Sequence, residues 1–198
     1  MGGAEGKPPR RLPDVPTTAT PIQCVTERVA HRNAFVTLYD DAVRLPDGTA
    51  GTYVRLVASA GHPGVAGLVL AGDRVGLVLV YRYPVGSWQW GIPRGFGDQA
   101  DPRASLLREL DEELGGEPVS VEQLGVMHPD SGVLATEVHI FFAKWPEPLA
   151  VPRDEAEVQA VTWIAVADLR EAIASGEITD GFTLAAVALA DARGLLPS

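Results

Sequence analysis

Four residues near the middle of the chain combine the types and spacing that metal chemistry needs: Arg108, Glu109, Glu112 and Glu113. At about 100° per residue in an α-helix, the three glutamates fall on one side of the helix that this stretch predicts. Carboxylates held so close repel one another unless a cation lies among them. Ligands that are all oxygen suit a hard divalent ion, Mg²⁺ or Mn²⁺, better than zinc. The residues alone also allow the alternative of a solvated acidic helix face.

The helix that would carry these side chains is indicated by its two ends and its apolar face. Asp101 can accept hydrogen bonds from the first amides, and Pro102 lacks the amide that would otherwise be left without a partner. Gly115-Gly116 is a typical stop signal. The apolar side is formed by leucines at helical spacing, namely Leu106, Leu107, Leu110 and Leu114.

The stretch from Gly95 to Gly116 resembles the Nudix box, G-x5-E-x7-R-E-U-x-E-E-x-G-U, in which U is a bulky aliphatic residue. Gly95 matches the first glycine, and residues 108–115 match the whole second half. Three positions depart from the pattern. The loop between Gly95 and Arg108 is one residue short, Asp101 or Ala100 replaces the first glutamate, and Gly116 replaces the last aliphatic residue.

This resemblance implies a Nudix fold of the α/β (α+β) class, with a mixed β-sheet between helices. It also implies that Glu109, Glu112 and Glu113 bind the metal, that Glu112 and Glu113 take part in catalysis, and that Arg108 orients a neighbouring carboxylate. Gly95 would let the backbone come close to these carboxylates and to substrate, where a side chain would obstruct it.

The segment before this region is predicted to form a small antiparallel sheet over residues 22–60. Residues 34–39 and 52–57 have the composition of strands, and residues 46–48 form a turn signal. Together with the run at residues 41–48, this front sheet resembles that of ADP-ribose pyrophosphatases. In that subfamily the front sheet helps to form a homodimer and contributes to the substrate pocket. Phe35 and Arg55 are the candidates for such a contribution, and sheet packing or a position at the rim is the alternative for each.

Two more candidates for substrate binding follow the next predicted strands. Arg82 ends a segment similar to the Q-Y-R motif of the subfamily, with Val80 in place of glutamine, and its guanidinium could contact a diphosphate with two parallel hydrogen bonds. Trp90 shares a strand face with Trp88 and could stack on a nucleobase, although packing in the core fits the sequence equally well. Gly91 stands where many relatives have glutamate.

The region after the helix contains the last candidate catalytic residue. Residues 131–137 resemble the subfamily loop S-P-G-x-x-x-E, without its proline, which makes Glu137 a candidate general base or metal ligand. The alternative is a loop carboxylate in solvent. Residues 176–180 resemble the G-x-I-x-D segment that precedes the final helix of the subfamily.

Composition limits the classes of partner. The 198 residues have a formal net charge of −10, which argues against nonspecific binding to nucleic acid or an anionic membrane. Apolar runs of about 18 residues are absent from the sequence, and Cys24 is its single cysteine, so we expect a cytoplasmic protein. Residues 1–21 are predicted to be a disordered tail, and residues 61–198 the Nudix hydrolase domain.

The predicted reaction is the metal-dependent hydrolysis of ADP-ribose to AMP and ribose 5-phosphate. Other substrates with the same linkage are alternatives, namely another nucleoside diphosphate sugar or an oxidised nucleotide. A nucleotide-binding Nudix module with little turnover is a further alternative, favoured by the shortened loop and by Gly91.

Overall fold

The computed structural model describes residues 12, 16–58, 61–97, 100–153 and 157–197, and within them the chain forms two β-sheets and three helices. The first sheet contains β1 (Gln23–Thr26), β2 (Val29–Arg32), β3 (Val36–Arg44) and β4 (Ala50–Ala58). The second contains β5 (Gly64–Ala71), β6 (Arg74–Arg82), β7 (Ser87–Gly91), β8 (Arg94–Gly95), β9 (Ser120–Met127), β10 (Val138–Lys144) and β11 (Val158–Ala165). The helices are α1 (Pro102–Leu114), α2 (Val166–Ser175) and α3 (Gly181–Ala192). Most of the predicted tail at residues 1–21 lies outside the described residues.

The first sheet, the front sheet, is antiparallel and is built around β3. One edge of β3 pairs with β4 along its whole length, and the other edge pairs with both β1 and β2. The strand predicted at residues 34–39 begins two residues later and continues to Arg44. The later start has a local cause, because the Asn33 side chain accepts hydrogen bonds from the amides of Phe35 and Val36 at 2.8 and 2.9 Å and forms a turn.

The second sheet, the core sheet, opens in its middle. Its order is β11-β6-β5-β10-β9, with β10 parallel to β5. Strands β5 and β6 pair only beside their connecting turn, at Leu70–Val75 and Ala71–Arg74, and then separate. The opening between them is bordered by β7, which pairs with β6, and by β8, which pairs with β5. The chain from β7 to β8 therefore lies between the separated parts of β5 and β6.

Helices cover both faces of the core sheet, as the sequence predicted for a mixed sheet between helices. One face packs against α1 through a cluster of buried residues that includes Val65, Val69, Leu106, Leu110 and Phe141. The other face packs against α2 and α3 through a second cluster that includes Leu68, Leu77, Ile140, Phe142 and Leu169. Within the described part of the chain, no helix is long and apolar enough to cross a membrane.

Helix α1 begins and ends at the residues that the sequence indicated. The Asp101 side chain accepts a hydrogen bond from the amide of Arg103 at 3.0 Å, and Gly115 adopts the left-handed conformation at φ 76°. Leu106, Leu110 and Leu114 are fully buried, so each anchors the helix by about 2–5 kcal/mol on the scale of leucine-to-alanine substitutions. Leu107 was predicted on the same face, but it is only half-buried and lines an outer groove.

Candidate active site

The carboxylates of α1 lie against the backbone of β8. Gly95 in β8 has no room for a side chain, because a Cβ atom there would overlap the carboxyl group of Glu109. The close approach that was expected of this glycine is therefore made to Glu109. The Glu109 side chain is 12% exposed and lies between α1 and the strand.

Glu113 is the most deeply buried carboxylate of the helix, at 4% exposure. The backbone amide of Arg94 donates a hydrogen bond to it, whereas its Oε2 atom has no hydrogen-bond partner among the described residues. Burial, reinforced by the negative charges of Glu109 and Glu157, raises the pKa of Glu113 to about 8, while Arg82 and the Arg94 amide act in the opposite direction. A buried carboxylate with an unpartnered oxygen would be stabilised by a cation.

Arg108 forms ion pairs with two of the other carboxylates. Its Nη2 atom lies 2.6 Å from Oε1 of Glu109, and its Nη1 atom lies 2.5 Å from Oε2 of Glu112. Burial raises the pKa of Glu109, and the charge of Arg108 opposes this rise. The sequence analysis argued that these carboxylates need a cation, and the guanidinium of Arg108 supplies part of that positive charge.

The donor atoms fit a hard divalent cation in kind, since all of them are carboxylate oxygens. Within the described ranges, no group of three or more His, Cys, Asp or Glu side chains converges closely enough to hold a metal ion as it stands. Arg108 is the ion-pair partner of both Glu109 and Glu112. To bind a metal ion, Glu109 or Glu112 would have to give up its ion pair with Arg108.

A fourth carboxylate, Glu157, belongs to the same cluster and was missed by the sequence analysis. It precedes β11, and one of its oxygens lies 3.8 Å from Nη1 of Arg82. Its charge raises the pKa values of both Glu109 and Glu113. In the sequence, Glu157 ends the acidic run 154–157, whose composition is typical of a solvated loop. Only the pairing of β11 with β6 brings Glu157 beside the helix. Residues 154–156 lie outside the described residues.

The structure brings Arg82 to the carboxylate cluster. Its side chain, at the end of β6, is 21% exposed and pairs with Glu157, and its charge acts on both Glu113 and Arg94. Arg82 therefore places a cation beside the buried carboxylates.

Glu137 lies at the start of β10, beside β5. Its carbonyl accepts a hydrogen bond from the amide of Gly64 at 3.0 Å, and its half-exposed side chain contacts Nε2 of His139 at 3.2 Å. The loop before it is fixed by the front sheet, because Leu56 forms backbone hydrogen bonds with Val133 and Ala135 at 2.8 and 2.9 Å. The front sheet thus positions the loop that carries Glu137.

Of the remaining predicted residues, Trp90 and Arg55 have partners outside the carboxylate cluster, and Phe35 is largely exposed. Trp90 is half-buried and packs on the core cluster that faces α2 and α3, while Trp88 is exposed and contacts Tyr81 edge-on. Phe35 is 73% exposed before β3. Arg55, in β4, lies 2.5 Å from the buried Asp41 and stacks over the ring of Tyr39 at 3.8 Å.

Two open grooves lie beside this cluster rather than over it. One, of about 590 Å³, runs along the outer side of α1 and is lined by Arg103, Leu107, Arg108 and Arg153 among others. The other, of about 540 Å³, is lined by residues 150–152 and 158–161. Neither is lined by Glu109, Glu112 or Glu113. The chemistry of the buried carboxylates, rather than groove size, identifies the site.

Comparisons with known proteins agree with this architecture. The family model described as the NUDIX domain matches residues 61–182. The chain is 29% identical to the CMP-5'-(N-acetyl-N-hydroxy-3-aminopropyl)phosphonate hydrolase of Streptomyces rubellomurinus, over 82% of this chain and 79% of that protein. It is 27% identical to the ADP-ribose pyrophosphatase of Bacillus subtilis, over 77% of this chain and 83% of that protein. A crystal structure of an ADP compounds hydrolase shares the fold, with a TM-score of 0.74 at 16% identity, over 89% of this chain and 98% of that one.

Proposed function

Since the chain belongs to the Nudix family and is a Nudix hydrolase, we propose that it cleaves the diphosphate of ADP-ribose to give AMP and ribose 5-phosphate. The observation that carries the proposal is the carboxylate cluster in which Glu109 and Glu113 are buried and Glu157 is half-exposed, with one oxygen of Glu113 left without a partner among the described residues. Such a cluster is unfavourable unless it holds protons or a cation.

Glu109, Glu112 and Glu113 would hold Mg²⁺ or Mn²⁺. A bound divalent ion supplies charge neutralisation at the phosphate oxygens and lowers the pKa of coordinated water. Gly95 keeps Glu109 close to the backbone of β8, and Arg108 holds Glu112 until the ion takes its place. Arg82 lies on the same side and would bind a phosphate oxygen of the substrate.

In the reaction, the oxygen of a water molecule forms a bond to one phosphorus atom, and the bond from that phosphorus to the bridging oxygen breaks. The bridging oxygen leaves with the other phosphate, so the products are two phosphate monoesters. One proton of the water must be accepted by a base. Glu137, predicted from the sequence, and Glu157 are the two candidates, and we favour Glu157 because its charge acts directly on Glu109 and Glu113.

A second substrate class is favoured by one comparison. The Streptomyces relative is, by its name, a hydrolase of a CMP-linked phosphonate. The carboxylate cluster and Arg82 would act at a phosphorus atom both in ADP-ribose and in a CMP-linked phosphonate. A substrate with cytidine in place of adenosine is therefore the second candidate.

The test is the release of phosphate monoesters, followed by ³¹P NMR, from a panel that contains ADP-ribose, CDP-glucose, GDP-mannose, NADH and 8-oxo-dGTP. Each compound is assayed with Mg²⁺, with Mn²⁺ and with EDTA, beside the Glu112→Gln variant. We expect ADP-ribose to be cleaved fastest, only with metal, and at least about 100-fold more slowly by the variant. Preferred cleavage of CDP-glucose would select the second candidate. Binding of ADP-ribose without any cleavage would identify a nucleotide-binding module and overturn the proposal.

We also propose that two copies associate through the front sheet. Its strands expose several apolar side chains, namely Val25, Val29, Tyr53 and Val54. The pairing register places Val29 and Tyr53 on one face of the sheet and Val54 on the other, and exposed apolar groups on one face are typical of an interaction surface. Sedimentation equilibrium of the wild type beside a Val29→Lys/Tyr53→Lys variant tests this, because a dimer should dissociate in the variant and a monomeric wild type would contradict the proposal.

A further inference from the structure

The first turn of α3 forms a buried polar network that lies next to the segment entering β8. Asp180, the cap of α3, is 5% exposed, and its Oδ2 atom accepts hydrogen bonds from the amide and the hydroxyl of Thr183 at 2.9 and 2.8 Å. Its Oδ1 atom lies 3.1 Å from Nη2 of Arg94. The Thr183 hydroxyl in turn accepts a hydrogen bond from the amide of Ile92 at 3.0 Å. Asp180 and Thr183 therefore hold the segment at Ile92 and at Arg94.

The opposite side of this segment contacts the carboxylates of α1. The Arg94 amide donates a hydrogen bond to Glu113, and the adjacent Gly95 lies against the carboxyl group of Glu109. Residues 92–95 thus separate the cap of α3 from the two buried carboxylates. A shift of the segment would move the surfaces against which both carboxylates rest.

Asp180 is also the counter-ion of Arg94. The Arg94 side chain is 21% exposed and lies over the ring of Phe182 at 4.0 Å, and its Nε atom has no hydrogen-bond partner within the described residues. Burial lowers the pKa of Arg94, and the negative charge of Asp180 opposes this effect. Removal of the Asp180 charge would leave Arg94 poorly compensated, and the segment would have to adjust.

Gly91 packs directly against the side chain of Asp180. A Cβ atom at position 91 would lie 3.0–3.3 Å from three atoms of the Asp180 side chain, which is closer than ordinary van der Waals contact. The Asp180 carboxylate therefore fills the place where a side chain at position 91 would begin. An alanine at position 91 should displace Asp180 without removing any of its polar groups.

We infer that Asp180 is a positioning residue for the metal site: through Arg94 and Thr183 it fixes the segment 92–95 against which Glu109 and Glu113 are held. The inference rests on the proposed metal-dependent function, and it adds α3, a helix without any of the proposed metal ligands, to the elements that determine metal affinity. Groups that orient metal ligands from outside the ligand shell commonly change metal affinity by about 10–100-fold when they are replaced.

Three substitutions perturb the network in different ways. Asp180→Asn keeps a good helix cap, because asparagine caps about as well as aspartate, and it replaces the charged oxygen that faces Arg94 with an uncharged amide group that cannot accept a hydrogen bond. Thr183→Val removes the hydroxyl at nearly constant volume, with Thr183→Ser as the variant that restores it. Gly91→Ala displaces Asp180, with Gly181→Ala as its matched control, since a Cβ atom at Gly181 meets nothing within 4 Å.

The measurement is the Kd for Mn²⁺, from the electron paramagnetic resonance signal of free Mn²⁺, alongside the melting temperature of each protein in EDTA. We expect Asp180→Asn, Thr183→Val and Gly91→Ala to bind Mn²⁺ at least about tenfold more weakly at a temperature where they remain folded. Thr183→Ser and Gly181→Ala should keep the affinity of the wild type.

Two results would overturn the inference, and they are distinguishable. If Asp180→Asn and Gly91→Ala bind Mn²⁺ as tightly as the wild type, while Glu113→Gln has lost binding, the metal site exists and Asp180 does not position it. If the wild type itself binds no Mn²⁺, the proposed metal-dependent function fails, and this inference fails with it.

Discussion

The carboxyl group of Glu109 occupies the volume in which a side chain at Gly95 would have to lie. Substitution by the smallest other side chain, Gly95→Ala, should therefore displace Glu109 from β8. We expect metal-dependent hydrolysis to fall by at least about 100-fold, a loss comparable to that from removing a catalytic group. Steady-state kinetics over a range of Mg²⁺ concentrations measures the effect.

The control for this substitution is another glycine of the core sheet. A Cβ atom at Gly125 would make only ordinary contacts, the nearest at 3.7 Å to Leu189, so Gly125→Ala should keep its activity. If Gly95→Ala has the kinetics of the wild type, the position of Glu109 beside β8 is not required for hydrolysis.

The stability of the metal-free protein should depend on the protonation of Glu113. Its pKa is raised in the folded state to about 8, from the ordinary value of 4.5. Such a group stabilises the fold fully below its unfolded pKa and loses that contribution as pH rises through the folded value. We expect the melting temperature in EDTA to fall from about pH 5 to about pH 8 more steeply in the wild type than in Glu113→Gln. Parallel pH profiles of the two proteins would contradict this.

Divalent metal should stabilise the folded chain. An ion at about 100 times its Kd adds about 2.7 kcal/mol, which corresponds to about 5–10 °C in melting temperature for a chain of this size. Differential scanning fluorimetry with Mg²⁺ should detect this shift in the wild type and lose it in Glu113→Gln. Glu147→Gln, at an exposed position outside the cluster, is the control that should retain the shift.

The two candidate bases can be separated by substitution. Both side chains are about half-exposed, but the charge of Glu157 acts on Glu109 and Glu113, whereas Glu137 contacts His139. We expect Glu157→Gln to lower kcat by about 100-fold or more and Glu137→Gln by less than about tenfold. Single-turnover measurements at saturating Mg²⁺ provide the comparison. If Glu137→Gln lowers kcat more than Glu157→Gln does, Glu137 is the base.

Much of helix α1 was predictable because its signals are local. Asp101, Pro102 and Gly115 act within a turn of their own positions, and the leucine spacing follows from helix geometry, so α1 has the predicted bounds. The same geometry predicted that Glu109, Glu112 and Glu113 would lie on one side. It could not reveal how deeply each is buried, because burial depends on β8 and on the opening of the core sheet.

Long-range contacts explain what the sequence analysis missed. Glu157 reaches the cluster only through the pairing of β11 with β6, and Asp180 reaches Arg94 only because the first turn of α3 lies next to the segment 92–95. Neither relation has a fixed spacing in the sequence. Arg55 illustrates the converse, since its place in a strand was predictable, while its pairing with Asp41 depends on the register of β3 and β4.

The hydrogen bonds of Leu56 with Val133 and Ala135 also constrain the order in which the protein assembles. During synthesis, β4 emerges long before the loop that it must fix, so this contact has to wait until most of the core sheet has left the ribosome. Contacts between distant positions form slowly, because a long loop must close first. We therefore expect the surroundings of Glu137 to be among the last parts of the molecule to fold. Removal of the front sheet would also remove the backbone hydrogen bonds that hold this loop.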